Sequence, residues 1–121
     1  MPGLRILLID DEEELVSTLQ ERLLMRNMEA EIATDGHSAL ERMRNETFDV
    51  VVVDMKMPGL DGLDVRDTIH RMYPQVKVLL VTGHGAEGND QRGSNAATSD
   101  ILLKPFSIDS LIAKIIQDPD E

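Results

Sequence analysis

The feature that most limits the fold of this chain is a run of four consecutive valines, residues 50–53, that ends in Asp54. Four β-branched residues in succession predict a strand buried on both faces, as at the centre of a parallel sheet. A turn sequence, Met57-Pro58-Gly59, follows. Open α/β sheets bind ligands at the carboxyl ends of their strands, so Asp54 stands where such sheets carry their sites. Because Asp is also an ordinary turn former, its meaning depends on the residues that follow the other strands.

The size and charge of the chain narrow the class of protein. Its 121 residues suit one domain, and we expect residues 1–121 to form that domain without an output domain. The net charge of -11, from 23 acidic and 12 basic residues, argues against direct binding to nucleic acid or to an anionic membrane. The chain has no cysteine, which excludes disulfides and thiol chemistry. No membrane-length apolar run or signal peptide is recognisable, so we expect a cytoplasmic protein.

Apolar segments alternate with helical patterns along the whole chain. Besides the valine run, short strands are predicted at residues 4–9, 30–33, 76–81 and 100–103, the second of them weak and near a sheet edge. Helical spacing of apolar residues separates these strands. Five strands that alternate with four or five helices indicate βαβ units with right-handed crossovers. The predicted fold is therefore one three-layer α/β domain with a parallel sheet.

Three helical segments carry specific expectations. The helix that opens at Asp61-Gly62 should bury Val65, Ile69 and Met72. Ser107 should cap a final helix whose apolar stripe consists of Ile108, Leu111, Ile112, Ile115 and Ile116. Residues 84–99 contain three glycines and no large apolar residue, so a helix between the fourth and fifth strands should be short or mobile.

Chemically active residues directly follow four of the predicted strands. Asp10 and Asp11 follow the first, Asp54 the third, Thr82 the fourth and Lys104 the fifth. The ends of parallel strands share one edge, where converging carboxylates would repel one another unless a cation lies between them. Mg²⁺ prefers carboxylate and water oxygens. Together with an ammonium and a hydroxyl, such a site suits a phosphoryl group that one carboxylate attacks as nucleophile.

Four motifs make the chain resemble the receiver domain of two-component response regulators. They are LLIDDE at the first strand, VVVDMKMPGLDG at the third, LLVTGHG at the fourth and LLKPF at the fifth. The resemblance covers essentially the whole chain. It implies a flavodoxin-like three-layer sandwich with a five-stranded parallel sheet in the order 2-1-3-4-5 and helices on both faces.

The resemblance also implies a role for each acidic residue at the edge. Asp54 would accept a phosphoryl group from the phosphohistidine of a sensor histidine kinase or a phosphotransfer protein. Asp11 would bind Mg²⁺ directly and Asp10 largely through water, with Asp54 and the backbone carbonyl of Lys56 completing the protein ligands. A single Mg²⁺ is the only cofactor that this implies.

Further residues matched to the family have supporting roles. Thr82 would hydrogen-bond the phosphoryl group, and Lys104 would pair with it from a cis Lys104-Pro105 peptide. Lys56 and His84 occupy positions that modulate hydrolysis of the acyl phosphate. Ile101 stands at the switch position, where the family usually has Tyr or Phe, so the common aromatic readout is altered.

The leading interpretation is a signalling switch that turns over no external substrate, apart from transfer to and hydrolysis from its own Asp54. It would change partner binding through residues 84–112. Two alternatives remain open at this point. One is an interaction module with a receiver fold that does not use phosphate, and the other is a small Mg²⁺-dependent phosphohydrolase. The second lacks the D-x-D pattern of aspartyl phosphatases, because Met55 and Lys56 follow Asp54.

Overall fold

The computed structural model describes residues 3–57, 59–83 and 101–117. The five described strands are β1 (Arg5–Ile9), β2 (Glu29–Ala33), β3 (Val50–Asp54), β4 (Lys77–Thr82) and β5 (Ile101–Leu103). All neighbouring pairs are parallel, and the sheet order is β2-β1-β3-β4-β5. The flavodoxin-like order expected from the resemblance is confirmed, and the weak second strand lies at a sheet edge as predicted.

Four helices connect or follow these strands within the described residues: α1 (Glu13–Leu24), α2 (Gly36–Asn45), α3 (Gly62–Met72) and α4 (Ile108–Ile116). Side-chain caps fix the start of three of them, because Asp35, Asp61 and Ser107 each accept a hydrogen bond from the backbone N–H three residues later. The cap predicted at Ser107 is confirmed.

The sheet forms the middle layer between two hydrophobic clusters. Every residue of β3 is buried, as the valine run predicts for a central strand. On one face, residues of α2 and α3 pack against alternate strand positions such as Leu7 and Val51. On the other face, α1 and α4 pack against the intervening positions such as Leu8 and Val52. The three-layer arrangement is therefore confirmed.

Two predicted core residues are exposed instead. Met72 is 54% exposed because it is the last residue of α3, and the next residue, Tyr73, packs against the core. Ile116 is 62% exposed. It lies about 140° around the helix axis from Leu111, outside the narrower face on which Leu111 and Ile115 are buried. In both cases the periodic apolar pattern includes a residue that lies outside the buried surface of its helix.

The prediction of a short or mobile helix at residues 84–99 lies outside the described residues, as does His84. Within the described residues, no helix is both long and apolar enough to cross a bilayer.

Candidate functional site

The backbone around Asp54 is fixed by contacts on two sides. Asp54 is the last residue of β3 and lies opposite Val81 of β4, whose carbonyl accepts a hydrogen bond of 2.7 Å from the N–H of Met55. The N-terminus of α3 packs against the same point, because Gly62 donates its N–H to the Met55 carbonyl at 3.1 Å. A Cβ atom on Gly62 would lie only 2.1 Å from the Asp54 carbonyl oxygen. The absence of a side chain at residue 62 is what permits this approach.

Asp10 and Asp11 follow β1 but lie in different environments. The backbone N–H of Asp10 donates to the Ala33 carbonyl at 3.1 Å, which extends the β1–β2 pairing by one residue. Its side chain is buried, and Oδ1 accepts a hydrogen bond of 2.9 Å from the N–H of Glu12. Asp11, by contrast, is exposed. Of the two neighbouring carboxylates, Asp10 is therefore the one held in the interior of the edge.

Thr82 and Lys104 are joined through the backbone. Thr82 ends β4 with its side chain buried, and its carbonyl accepts a hydrogen bond of 2.8 Å from the N–H of Lys104. Lys104 follows β5 directly, and the Lys104-Pro105 peptide is cis, as the resemblance implies. The two residues thus emerge side by side at the edge where Asp54 and Asp10 lie.

The ammonium of Lys104 joins the side chains at this edge. Its Nζ lies 3.1 Å from Oδ2 of Asp10, 3.5 Å from Oδ2 of Asp54 and 2.5 Å from Oε1 of Glu12. The structure therefore brings together Asp10, Asp54 and Lys104, and it adds Glu12, which was not among the predicted site residues.

The protonation of the edge reflects this grouping. Burial, and next the charge of Asp10, raise the pKa of Asp54, while the Lys56 N–H and the Lys104 ammonium oppose that rise. Burial alone would lower the pKa of Lys104, but hydrogen bonds to Glu12 and Asp10 and the charges of Asp10 and Asp54 outweigh it, so that pKa is raised. Lys104 is therefore a fixed positive charge at neutral pH, and the surroundings of Asp54 disfavour its negative charge.

The donor set fits a hard divalent cation. Single carboxylate oxygens of Asp10, Glu12 and Asp54 all lie within 4.8 Å of one another. Oxygen ligands of this kind suit Mg²⁺, and a cation would relieve the repulsion by Asp10 that adds to the effect of burial in raising the Asp54 pKa. Among the described residues, Asp11 is not in this group. Direct ligation by Asp11 and by the Lys56 carbonyl therefore stays a prediction.

The remaining predicted residues lie around this centre. The N–H of Lys56 donates to Oδ1 of Asp54 at 3.2 Å, while its side chain is exposed. Ile101, at the predicted switch position, is half-buried and packs against the cluster formed with α2 and α3. The ammonium also borders an open groove of about 410 Å³, which is lined by Glu12, Leu15, Gly83, Lys104, Pro105 and Phe106.

This fold and this edge define a receiver-like α/β domain, and comparison with known proteins identifies the family. The family model for the response regulator receiver domain matches residues 6–116. The chain is 31% identical over 113 residues to the transcriptional regulatory protein TcrA of Mycobacterium tuberculosis, covering 93% of this chain and 45% of that protein. It is 31% identical to the transcriptional regulatory protein TctD of Salmonella typhimurium, covering 93% of this chain and 50% of that protein.

Solved structures agree. A response regulator receiver domain protein of Clostridium thermocellum superposes with a TM-score of 0.82 at 30% identity, over 93% of this chain and 90% of that one. The response regulator TrrA of Thermotoga maritima, solved in complex with Mg²⁺-BeF, superposes with a TM-score of 0.81 at 30% identity, over 93% and 96% of the two chains. The chain belongs to the response regulator receiver domain family. It spans about half the length of the curated relatives that it matches.

Proposed function

We propose that this chain is a phosphorylation-controlled signalling switch in which Asp54 is the phosphoacceptor. The observation that carries the proposal is the position of the Lys104 ammonium, 3.5 Å from Asp54 and 3.1 Å from Asp10 at the strand edge. A carboxylate, a second acid and a fixed ammonium at one point suit transfer of a phosphoryl group. Phosphorylation and Mg²⁺ binding are typical of the family to which the chain belongs.

The proposed reaction is a single displacement at phosphorus. A carboxylate oxygen of Asp54 attacks the phosphorus atom of a phosphohistidine, the P–N bond breaks, and the imidazole leaves with the electron pair and takes up a proton. With a small acyl phosphate, the P–O bond breaks and a carboxylate leaves. Water later cleaves the aspartyl phosphate and releases inorganic phosphate. Receiver domains are not enzymes in the usual sense, and here too the chain would act only on its own side chain.

The charge that builds up on the phosphoryl oxygens needs positive partners. Bound Mg²⁺ would neutralise part of that charge. Asp10, Asp54 and the proposed ligands Asp11 and the Lys56 carbonyl would hold it. Lys104 would pair with a phosphoryl oxygen, because its ammonium already lies beside Asp54.

Other residues would act on the lifetime and the readout of the phosphorylated state. The Thr82 hydroxyl would donate a hydrogen bond to the phosphoryl group. Lys56 and His84 would modulate hydrolysis, and Ile101 would take the switch position without an aromatic ring. The resulting change in partner binding would involve residues 84–112.

The proposed partners are a sensor histidine kinase or a phosphotransfer protein, and a downstream protein. Two relatives are named transcriptional regulatory proteins, and this chain matches about half of each. We propose that residues 1–121 act as the receiver domain, in the cytoplasm, without touching nucleic acid or a membrane themselves. The net charge of -11 supports this, because the phosphates of a nucleic acid would repel such a surface.

The direct test is to incubate the protein with Mg²⁺ and acetyl phosphate and to follow intact mass. We expect the mass of one phosphoryl group to be added, and the adduct to decay over seconds to hours. The adduct should be absent in Asp54→Asn and should persist in Asp67→Asn, which removes an exposed carboxylate of α3. Chelation of Mg²⁺ should also abolish it.

Two results would contradict the proposal. If no adduct forms from acetyl phosphate or from a phosphorylated kinase, the chain is an interaction module that does not use phosphate. If phosphate is released in rapid multiple turnovers, the chain is a phosphohydrolase. The match to the receiver family over residues 6–116 favours neither alternative.

A further inference from the structure

Among the described residues, the nearest partner of the Lys104 ammonium is neither the proposed phosphoacceptor nor its buried neighbour. Nζ lies 2.5 Å from Glu12, against 3.1 Å from Asp10 and 3.5 Å from Asp54. An ammonium has three N–H donors, and here three carboxylates surround it. Phosphorylation converts the Asp54 carboxylate itself into the acyl phosphate, so the phosphoryl oxygens compete for Lys104 with the two remaining carboxylates, those of Glu12 and Asp10.

The backbone of Glu12 is fixed while its side chain is left available. Glu12 is the N-cap residue of α1; its N–H donates to Asp10 at 2.9 Å and its carbonyl accepts from Val16 at 3.1 Å. Glu is not among the side chains that commonly cap helices, and within the described residues this one makes no cap hydrogen bond. Its carboxylate instead contacts Lys104.

Solvent exposure indicates which carboxylate gives way. The Glu12 side chain is 60% exposed, whereas Asp10 and Asp54 are buried. A carboxylate that leaves an ammonium must be rehydrated, and only the exposed one can do so without opening the edge. Glu12 also lines the open groove beside Lys104.

We propose that Glu12 is a positioning residue: it holds Lys104 among the carboxylates until phosphoryl transfer, and releases it to the incoming phosphoryl oxygen. This rests on the proposed function of Asp54 as phosphoacceptor. Glu12 is thereby a competitor that slows phosphorylation rather than a member of the reacting group. A second role for Glu12 would be direct cation binding, since its carboxylate lies within 4.8 Å of those of Asp10 and Asp54. The experiment separates the two roles.

The test compares Glu12→Gln, which removes the charge at constant length, with Glu13→Gln, which makes the same charge change at an exposed position in the first turn of α1. In chelator and without phosphodonor, the Lys104 Cε resonance should shift in Glu12→Gln and stay unchanged in Glu13→Gln. With Mg²⁺ and acetyl phosphate, Glu12→Gln should form the adduct roughly two- to fivefold faster than Glu13→Gln, as expected for loss of a partly exposed ion pair. Glu12→Asp, whose shorter side chain loses the contact, should also be faster.

Each part of the result has its own meaning. If the wild type forms no adduct, the proposed function fails, while the Lys104 resonance still reports whether Glu12 holds the ammonium. If the wild type is phosphorylated and Glu12→Gln reacts no faster than Glu13→Gln, the positioning role is overturned and Asp54 remains the phosphoacceptor. If Glu12→Gln weakens Mg²⁺ binding about tenfold more than Glu13→Gln, Glu12 is a cation ligand and the proposal is likewise overturned.

Discussion

The Nζ atom of Lys104 and the Oδ2 atom of Asp54 lie 3.5 Å apart, although Asp54 ends β3 and Lys104 follows β5, two strands that are not neighbours in the sheet. This distance places a permanent positive charge beside a carboxylate that burial and Asp10 make reluctant to ionise. A cation among these acids, either the ammonium or a metal ion, offsets their repulsion and is what allows the strand edge to bind an anion.

The first prediction concerns stability and pH. The pKa of Asp54 is raised in the folded protein, so protonation of Asp54 stabilises the fold. This stabilisation is fully present at pH values below the pKa of the unfolded state, and it is lost as the pH rises through the pKa of the folded state. In chelator at pH 7, Asp54→Asn should therefore be more stable than the wild type. We expect about 1 kcal/mol, the size of a screened interaction between two nearby charges. Urea unfolding followed by circular dichroism measures it.

The same experiment at lower pH provides the control for that prediction. The advantage of Asp54→Asn should shrink as the pH falls and the wild-type carboxyl becomes protonated. An Asp54→Asn variant that is less stable than the wild type at pH 7 would show that the ionised carboxylate is favourable in the fold.

The second prediction concerns competition between Lys104 and Mg²⁺. Both cations use oxygens of Asp10 and Asp54, so Lys104→Met should bind Mg²⁺ more tightly, by roughly fivefold for about 1 kcal/mol of screened repulsion. Lys104→Arg keeps the charge and should bind Mg²⁺ like the wild type. Calorimetric titration measures both affinities. Weaker Mg²⁺ binding by Lys104→Met would mean that the ammonium organises the carboxylates more than it repels the ion.

The third prediction concerns the contact between α3 and β3. A Cβ atom at residue 62 would lie 2.1 Å from the Asp54 carbonyl oxygen and 2.7 Å from the Met55 Cα, both of them backbone atoms. Gly62→Ala should therefore lower the free energy of unfolding by about 2–3 kcal/mol and slow phosphorylation, because the strand end must shift. Gly83→Ala, whose Cβ meets nothing within 4 Å among the described residues, should change stability by no more than about 0.5 kcal/mol. Equal losses in the two variants would refute the tight approach.

The fourth prediction concerns the end of α4. The ammonium of Lys77, at the start of β4, lies 2.6 Å from the carbonyl oxygens of both Lys114 and Gln117 and 3.4 Å from that of Ile115. A helix end leaves its last carbonyls without regular intrahelical partners. The Lys114 carbonyl also accepts a long hydrogen bond of 3.4 Å from the Gln117 N–H. Lys77→Met should lower the free energy of unfolding by about 1–3 kcal/mol and speed hydrogen exchange in the last turn of α4.

A matched control for that prediction is Lys56→Met, because the Lys56 side chain is exposed. It should leave both stability and exchange in α4 near the wild-type values. If the two methionine variants lose the same stability, the Lys77 contacts contribute little beyond the loss of a charge.

The sequence predicted the sheet and much of its edge because those features depend on local signals. The valine run, the edge strand and the helix cap at Ser107 are each visible within a few residues. The convergence of Asp10, Asp54 and Lys104 then follows from the rule that parallel strands end on one side.

The features that the sequence missed depend on side-chain direction and on contacts between distant segments. Whether Glu12 or Asp11 turns toward Asp54 depends on the path of a single residue into α1, which periodicity does not encode. The Lys77 contacts join β4 to the end of α4, far apart in the chain. The exposure of Met72 and Ile116 is not predicted by the sequence, because an apolar period shows neither how wide the buried face of a helix is nor how far along the helix it extends.

The hydrogen bond from the Lys104 N–H to the Thr82 carbonyl has a mechanical consequence. Thr82 and Lys104, the two residues expected to contact a transferred phosphoryl group, are joined by this backbone hydrogen bond. A displacement of the end of β4 should therefore be accompanied by a displacement of the residue that follows β5. The chemical shift of the Lys104 amide should therefore also respond to movement of Thr82, so that this one backbone resonance reports on both phosphoryl-contacting residues.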